Sequence, residues 1–66
     1  MKIIANGEEK VVVDKLPVDA FLASCGWKST QVVVEYNGKV LTRSDVKTQT
    51  LAEGDRLEII VPVAGG

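Results

Sequence analysis

The chain has 66 residues, 45% hydrophobic and 26% charged, which is the make-up of one ordinary globular domain and excludes disordered and fibrous classes. A domain this small buries only about 60% of the surface its unfolded chain exposes, so a thin core is expected. Eight Lys and Arg balanced by nine Asp and Glu, for a formal net charge of -1, argue against a nucleic-acid partner, and the lack of any His removes the commonest general base and metal ligand.

Met1-Lys2-Ile3-Ile4-Ala5-Asn6 reads as a natural start that turns polar at once, with no apolar stretch long enough for a signal peptide or a membrane span. Lys2 to Ala5 is a short β-prone run that meets Asn6-Gly7, a pair suited to a type I′ hairpin turn. The return arm is the β-branched Lys10-Val11-Val12-Val13, ended by Asp14-Lys15. The period then changes from two to about 3.6, and the stretch 16–27 is expected to be a helix. Pro17 suits the first helical position and Asp19 the first turn. Val18, Phe21, Leu22 and Cys25 make one apolar stripe, and Gly26 ends the helix with Trp27 placed to fold back on the last turn.

After the polar Lys28-Ser29-Thr30, a third strand Gln31-Val32-Val33-Val34-Glu35-Tyr36 runs into a second Asn-Gly pair, Asn37-Gly38, and Lys39-Val40-Leu41 returns as a short fourth strand. Residues 42–50 are polar, with Ser44-Asp45 a cap and Val46 and Leu51 the apolar anchors of one helical turn or an irregular loop. Glu53-Gly54-Asp55 is a turn before a last strand over 56–63, with Leu57, Ile59 and Val61 on one face and Glu58, Ile60 and Pro62 on the other. This order predicts an α+β roll: a mixed sheet of four or five strands with one main helix across one face, the last strand lying mid-sheet beside the first.

Inside such a domain little can carry chemistry. Cys25 is the sole cysteine, so an internal disulfide is impossible and a reducing compartment, the cytoplasm, is expected. Its place on the apolar stripe predicts a buried thiol. Glu53, Asp55 and Glu58 lack calcium-loop spacing and read as a solvated edge, and no Gly-rich phosphate loop links a strand to a helix. Attention therefore falls on the end of the sequence, Pro62-Val63-Ala64-Gly65-Gly66, where little side-chain bulk stands before the final carboxylate.

Three stretches carry a family likeness: Tyr36-Asn37-Gly38 followed by Arg43, then Leu51-Ala52-Glu53-Gly54-Asp55-Arg56-Leu57-Glu58-Ile59, then Val63-Ala64-Gly65-Gly66. Together they resemble the ubiquitin-like β-grasp sulfur carriers of the ThiS/MoaD family, the thiamin-pathway ThiS group most closely, over essentially the whole length. The resemblance implies a single β-grasp domain over 1–66 with a flexible tail at 63–66, and a carrier rather than an enzyme. It implies that Gly66 is adenylated by a ThiF-like adenylyltransferase using ATP and Mg, with no cofactor held by the carrier. A sulfurtransferase or cysteine desulfurase would then supply the sulfur of a Gly66 thiocarboxylate, which a ThiG-like thiazole synthase consumes. Ala64 and Gly65 would thread the partner's channel, and Arg56, Glu58, Ile60 and Pro62 would form a partner surface, exposed or else packed under the 42–50 segment. A monomer is expected for the free protein. A molybdopterin-pathway carrier of the MoaD kind, which the Pro62 to Gly66 ending also resembles, and a ubiquitin-like covalent modifier remain the alternatives.

Overall fold

Two short hairpins, each closed by an Asn-Gly pair, supply four of the five strands. In the computed structural model, which describes residues 1–63, β1 (Lys2–Ala5) and β2 (Glu8–Val11) flank Asn6-Gly7, while β3 (Val33–Tyr36) and β4 (Lys39–Val40) flank Asn37-Gly38. Both Asn residues have φ 50° and the glycines φ 80° and 85°, the doubly positive pair that a type I′ turn demands. Between the hairpins lies α1 (Val18–Ser24), and after them come α2 (Arg43–Thr48) and β5 (Arg56–Ile60). The sheet order is β2-β1-β5-β3-β4, with β5 parallel to β1 and antiparallel to β3. The expected mixed sheet is thus five-stranded, and its last strand is central and beside the first.

The core forms where one face of this sheet meets the helices. Ile3, Ala5, Val34 and Leu57 from the strands meet Val18, Phe21 and Leu22 of α1, Val46 of α2 and Leu51. Burying a side chain of the Val, Leu, Ile or Phe type contributes about 1.5–3 kcal/mol before conformational entropy is charged against it.

Several boundaries differ from the sequence expectation, each for a local reason. The two-residue turn starts β2 at Glu8 and not at Lys10, and Val13 has left the strand before the Asp14-Lys15 turn, where Lys15 has φ 58°. Pro17 is the N-cap of α1, with extended φ -64° and ψ 147°, one position before its expected place. The C-terminus of α1 closes as expected: Trp27 N–H donates to Leu22 C=O at 2.9 Å and Gly26 N–H to Ala23 C=O at 3.0 Å, with Gly26 at φ 86°. Trp27 itself stays 38% exposed. That closure puts Cys25 at the C-cap (φ -89°, ψ 0°), off the helical stripe, and the cysteine is exposed where the periodicity placed it in the core.

The 42–50 segment is a helix of nearly two turns and not a loop. Its cap is Thr42, before the expected Ser44-Asp45: Asp45 N–H donates to Thr42 Oγ1 at 3.1 Å, and Thr42 N–H donates back to Asp45 Oδ2 at 3.2 Å. Val46 and Leu51 are buried as anticipated. The last strand ends at Ile60, short of the expected 63, so Val61 is half exposed and shares no buried face with Leu57 and Ile59.

Because Cys25 lies on the surface of the folded domain, a thiol reagent added to native protein should label it stoichiometrically and without denaturant. Labelling only after unfolding would return it to the core.

Candidate functional site

The strand that leads to the end of the chain is β5, and its backbone is bonded on both sides further than its neighbours reach. On the β3 side, Asn37 N–H donates to Arg56 C=O at 2.8 Å, and Arg56 N–H donates to Asn37 Oδ1 at 2.8 Å. On the β1 side, Asn6 N–H donates to Leu57 C=O at 2.9 Å before the chain turns away. The Asn6 side chain then stands in for the missing strand: Ile59 N–H donates to Asn6 Oδ1 at 2.7 Å, and Asn6 Nδ2 donates to Ile59 C=O at 3.3 Å. A carboxamide presents the donor and acceptor of a peptide group, so it satisfies a backbone pair that would otherwise be left unmade at the sheet's centre.

The start of β5 is fixed by Asp55, which is only 8% exposed. Its Oδ2 accepts from the Tyr36 hydroxyl at 2.6 Å and from Ala52 N–H at 2.7 Å, and its Oδ1 accepts from Asn37 Nδ2 at 3.1 Å. Burial disfavours the charged carboxyl, but hydrogen bonds from Tyr36, Ala52 and Asn37 outweigh it and hold the group below its ordinary 3.8. Hydrogen bonding to Asp55, then burial, then the Asp55 charge push Tyr36 up to about 12 from 10.0. Asp55 is therefore not part of a solvated edge. Glu53 is itself engaged, accepting from Lys2 N–H with both oxygens at 3.1 Å, while Glu58 is exposed.

Of the sequence-predicted surface residues, Arg56, Glu58 and Ile60 alternate along β5 and share the sheet face opposite the core. All three are exposed, Ile60 by 44%, so they do not pack under the 42–50 segment; Pro62, past the strand end, is exposed as well. Sequence reasoning missed their partners on β3. The register sets Val33, 38% exposed, opposite Ile60, and Glu35 opposite Glu58, giving an apolar pair next to a carboxylate pair on the open face. Alternation in the third strand was the signal that would have placed Val33 and Glu35 there. Gly66, Ala64 and Gly65, and with them most of the predicted tail, lie outside the described residues. Among the described residues the surface forms no pocket, and no group of His, Cys, Asp or Glu is arranged to hold a metal ion. No helix among them is long and apolar enough to cross a membrane.

Comparison with known proteins turns this arrangement into a family assignment. The sequence profile described as the ThiS family matches residues 2–66. The chain belongs to the ThiS family, a family of small sulfur carrier proteins. Its fold is that of the ubiquitin-like β-grasp. The crystal structure of the thiamine biosynthesis protein ThiS from Geobacter metallireducens superimposes with a TM-score of 0.85 at 30% identity, covering 100% of both chains. A solution structure of a thiamine biosynthesis protein from the same organism gives 0.79 at 30% identity, covering 100% of this chain and 88% of that one. A protein named thiazole synthase from Paramagnetospirillum magneticum is 35% identical over 66 residues, and this chain spans 20% of its length.

The Asp55 network makes two statements about pH. A folded-state carboxyl held below 3.8 contributes stability that is present above that value and lost as pH falls further. A tyrosine raised from 10.0 to about 12 contributes stability present below pH 10 and lost as pH climbs through that interval. Denaturant melts of Asp55→Ala should show a loss of about 2–3 kcal/mol at neutral pH, and Tyr36→Phe about 1 kcal/mol with the alkaline dependence flattened. An Asp55→Ala protein as stable as the parent would mean that the network is ornamental.

Proposed function

We propose that this chain carries sulfur on the α-carboxylate of Gly66 and delivers it for thiamine thiazole synthesis. The observation that carries the reading is the family match through residue 66 together with a β5 strand paired with β3 up to Ile60 and bonded on its other side up to Ile59. A rigid body that releases its chain from the sheet centre gives partners a fixed handle at a known distance from the terminus. From Ile60 to Gly66 a fully extended chain would span about 20 Å, enough to enter a partner's active site.

An ionised carboxylate, with an ordinary pKa of about 3.5, resists nucleophilic attack. A ThiF-like adenylyltransferase using ATP and Mg would attach AMP to a Gly66 carboxylate oxygen, with pyrophosphate leaving. A cysteine persulfide supplied by a sulfurtransferase or cysteine desulfurase attacks the activated carbonyl carbon through its terminal sulfur and expels AMP. A second thiol then attacks the inner sulfur of the resulting acyl disulfide, forms a disulfide with it, and releases the Gly66 thiocarboxylate. These steps suit a reducing cytoplasm, as does the unpaired surface thiol of Cys25.

The recipient is a ThiG-like thiazole synthase. A segment similar to this whole chain lies inside a polypeptide of that name, where joining carrier to acceptor raises their effective concentration. This favours the thiamine branch over a molybdopterin one. The docking surface is the Val33 and Ile60 pair, with Arg56, Glu35 and Glu58 around it and Pro62 at its margin; a complementary partner offers an apolar pocket bordered by basic groups.

Incubation with a ThiF-like enzyme, ATP and a sulfur donor should give the intact protein the mass gain of sulfur replacing oxygen, mapped to the C-terminal peptide. Deleting Gly66 should abolish the gain and leave the melting transition unchanged. Ile60→Asp should weaken the response to the activating enzyme by about tenfold or more at unchanged fold. Modification elsewhere on the chain, or none with a competent enzyme pair, rejects the proposal.

A further inference from the structure

One exposed surface is left unused by the sulfur-carrier reading. It is the outer edge of β2, where Val11 is 80% exposed and Val13 69% exposed. Val12 is bonded inward: its N–H donates to Met1 C=O at 2.9 Å and its C=O accepts from the Met1 amino group at 2.7 Å. Because both groups of Val12 point at Met1, the Val11 C=O and the Val13 N–H of the adjoining peptides point away from β1, just past the end of β2 at Val11. No strand covers that edge among the described residues. Edges of this kind are usually blunted by Pro, by a bulge or by charges, and the valines here carry none of these.

The flanking charges say what fits. Glu9-Lys10-Val11-Val12-Val13-Asp14-Lys15 is complementary to its own reverse. Laid antiparallel about Val12, Val11 of each copy faces Val13 of the other, and Lys10 faces Asp14 at the start of the turn. Shifting the register by one pair either sets Lys10 against Val12 with Glu8 against Asp14, or sets Val12 against Asp14 with Val11 against Lys15. Both shifts lose the two Lys10–Asp14 pairs, and the first also opposes like charges, so the charges favour the register centred on Val12.

We propose that β2 pairs antiparallel with β2 of a second copy of this chain, joining the two five-stranded sheets through a two-fold axis at Val12. The Val13 N–H of each copy donates to the Val11 C=O of the other. Lys10 and Asp14 occupy non-hydrogen-bonded positions, where side chains approach most closely. The existing contact of Lys10 with Glu8, 3.3 Å between exposed side chains, is weak enough to yield. The turn at Asp14 and Lys15 ends the ladder. A ladder this short buries much less than the roughly 1,600 Å² of a standard interface, so the dimer is weak, forming at about 0.1–1 mM. Val11 lies beside Lys2, at the end of the sheet opposite the one from which β5 leaves, so the pairing does not cover the Ile60 end of either β5.

Sedimentation equilibrium of the native chain from about 10 μM to 1 mM should show a monomer–dimer equilibrium weakened by salt. Lys10→Glu and Asp14→Lys should each weaken it about tenfold, since each places two like-charged pairs across the axis. An equimolar mixture of the two variants, and the double variant carrying both, should restore it, with thermal melts confirming that each is folded. A native chain monomeric at 1 mM, or association indifferent to the single substitutions, overturns the proposal.

Discussion

The constraint on which this domain depends is that its central strand must be hydrogen-bonded on both sides by neighbours that stop short of it. β1 turns away at Asn6 while β5 runs on to Ile60, and β3 turns away at Asn37 where β5 begins. In both places an asparagine at positive φ closes a hairpin with its backbone and bonds β5 with its side chain. One residue type serves because asparagine tolerates the left-handed region and carries a peptide-like amide. Two local turns thereby become a long-range clamp on the strand that leads to the end of the chain.

From the clamp the rest follows. Asp55 orients the entry to β5 by bonding Tyr36 and Asn37 of the second hairpin and the Ala52 amide of the preceding turn. Leu57, fully buried between them, ties the strand to α1 and the core. The alternate residues Arg56, Glu58 and Ile60 are left facing outward with Val33 and Glu35 beside them. Among the described residues no pocket forms beside these groups, and the carrier character comes from the family to which the chain belongs.

Much of this was legible in the sequence. Alternating strands, two Asn-Gly turns and the helical stripe gave the mixed sheet with its helix, and the apolar final half of the last strand placed it in the middle, the right position although residues 61–63 of that run lie past the strand end. The misreadings have a common cause, which is that periodicity does not see where an element stops. Cys25 fits the stripe of α1 but sits at its cap, and Val61 fits the alternation of β5 but lies beyond its end. Asp55 was misjudged because a carboxylate is normally solvated, and only the fold brings Tyr36 and Asn37, 19 and 18 positions away, to bond it. The same holds for Asn6, whose turn role is written locally and whose bond to Ile59 spans 53 positions.

Amide hydrogen exchange at Ile59, read by NMR in the native chain and in Asn6→Ala, tests the clamp most directly. Protection at Ile59 comparable to that at Leu57 in the native chain, lost selectively at Ile59 in the variant while Leu57 stays protected, is the predicted result. An Ile59 amide that exchanges as fast as an unstructured one in the native chain, or one that remains protected without the Asn6 side chain, contradicts the account.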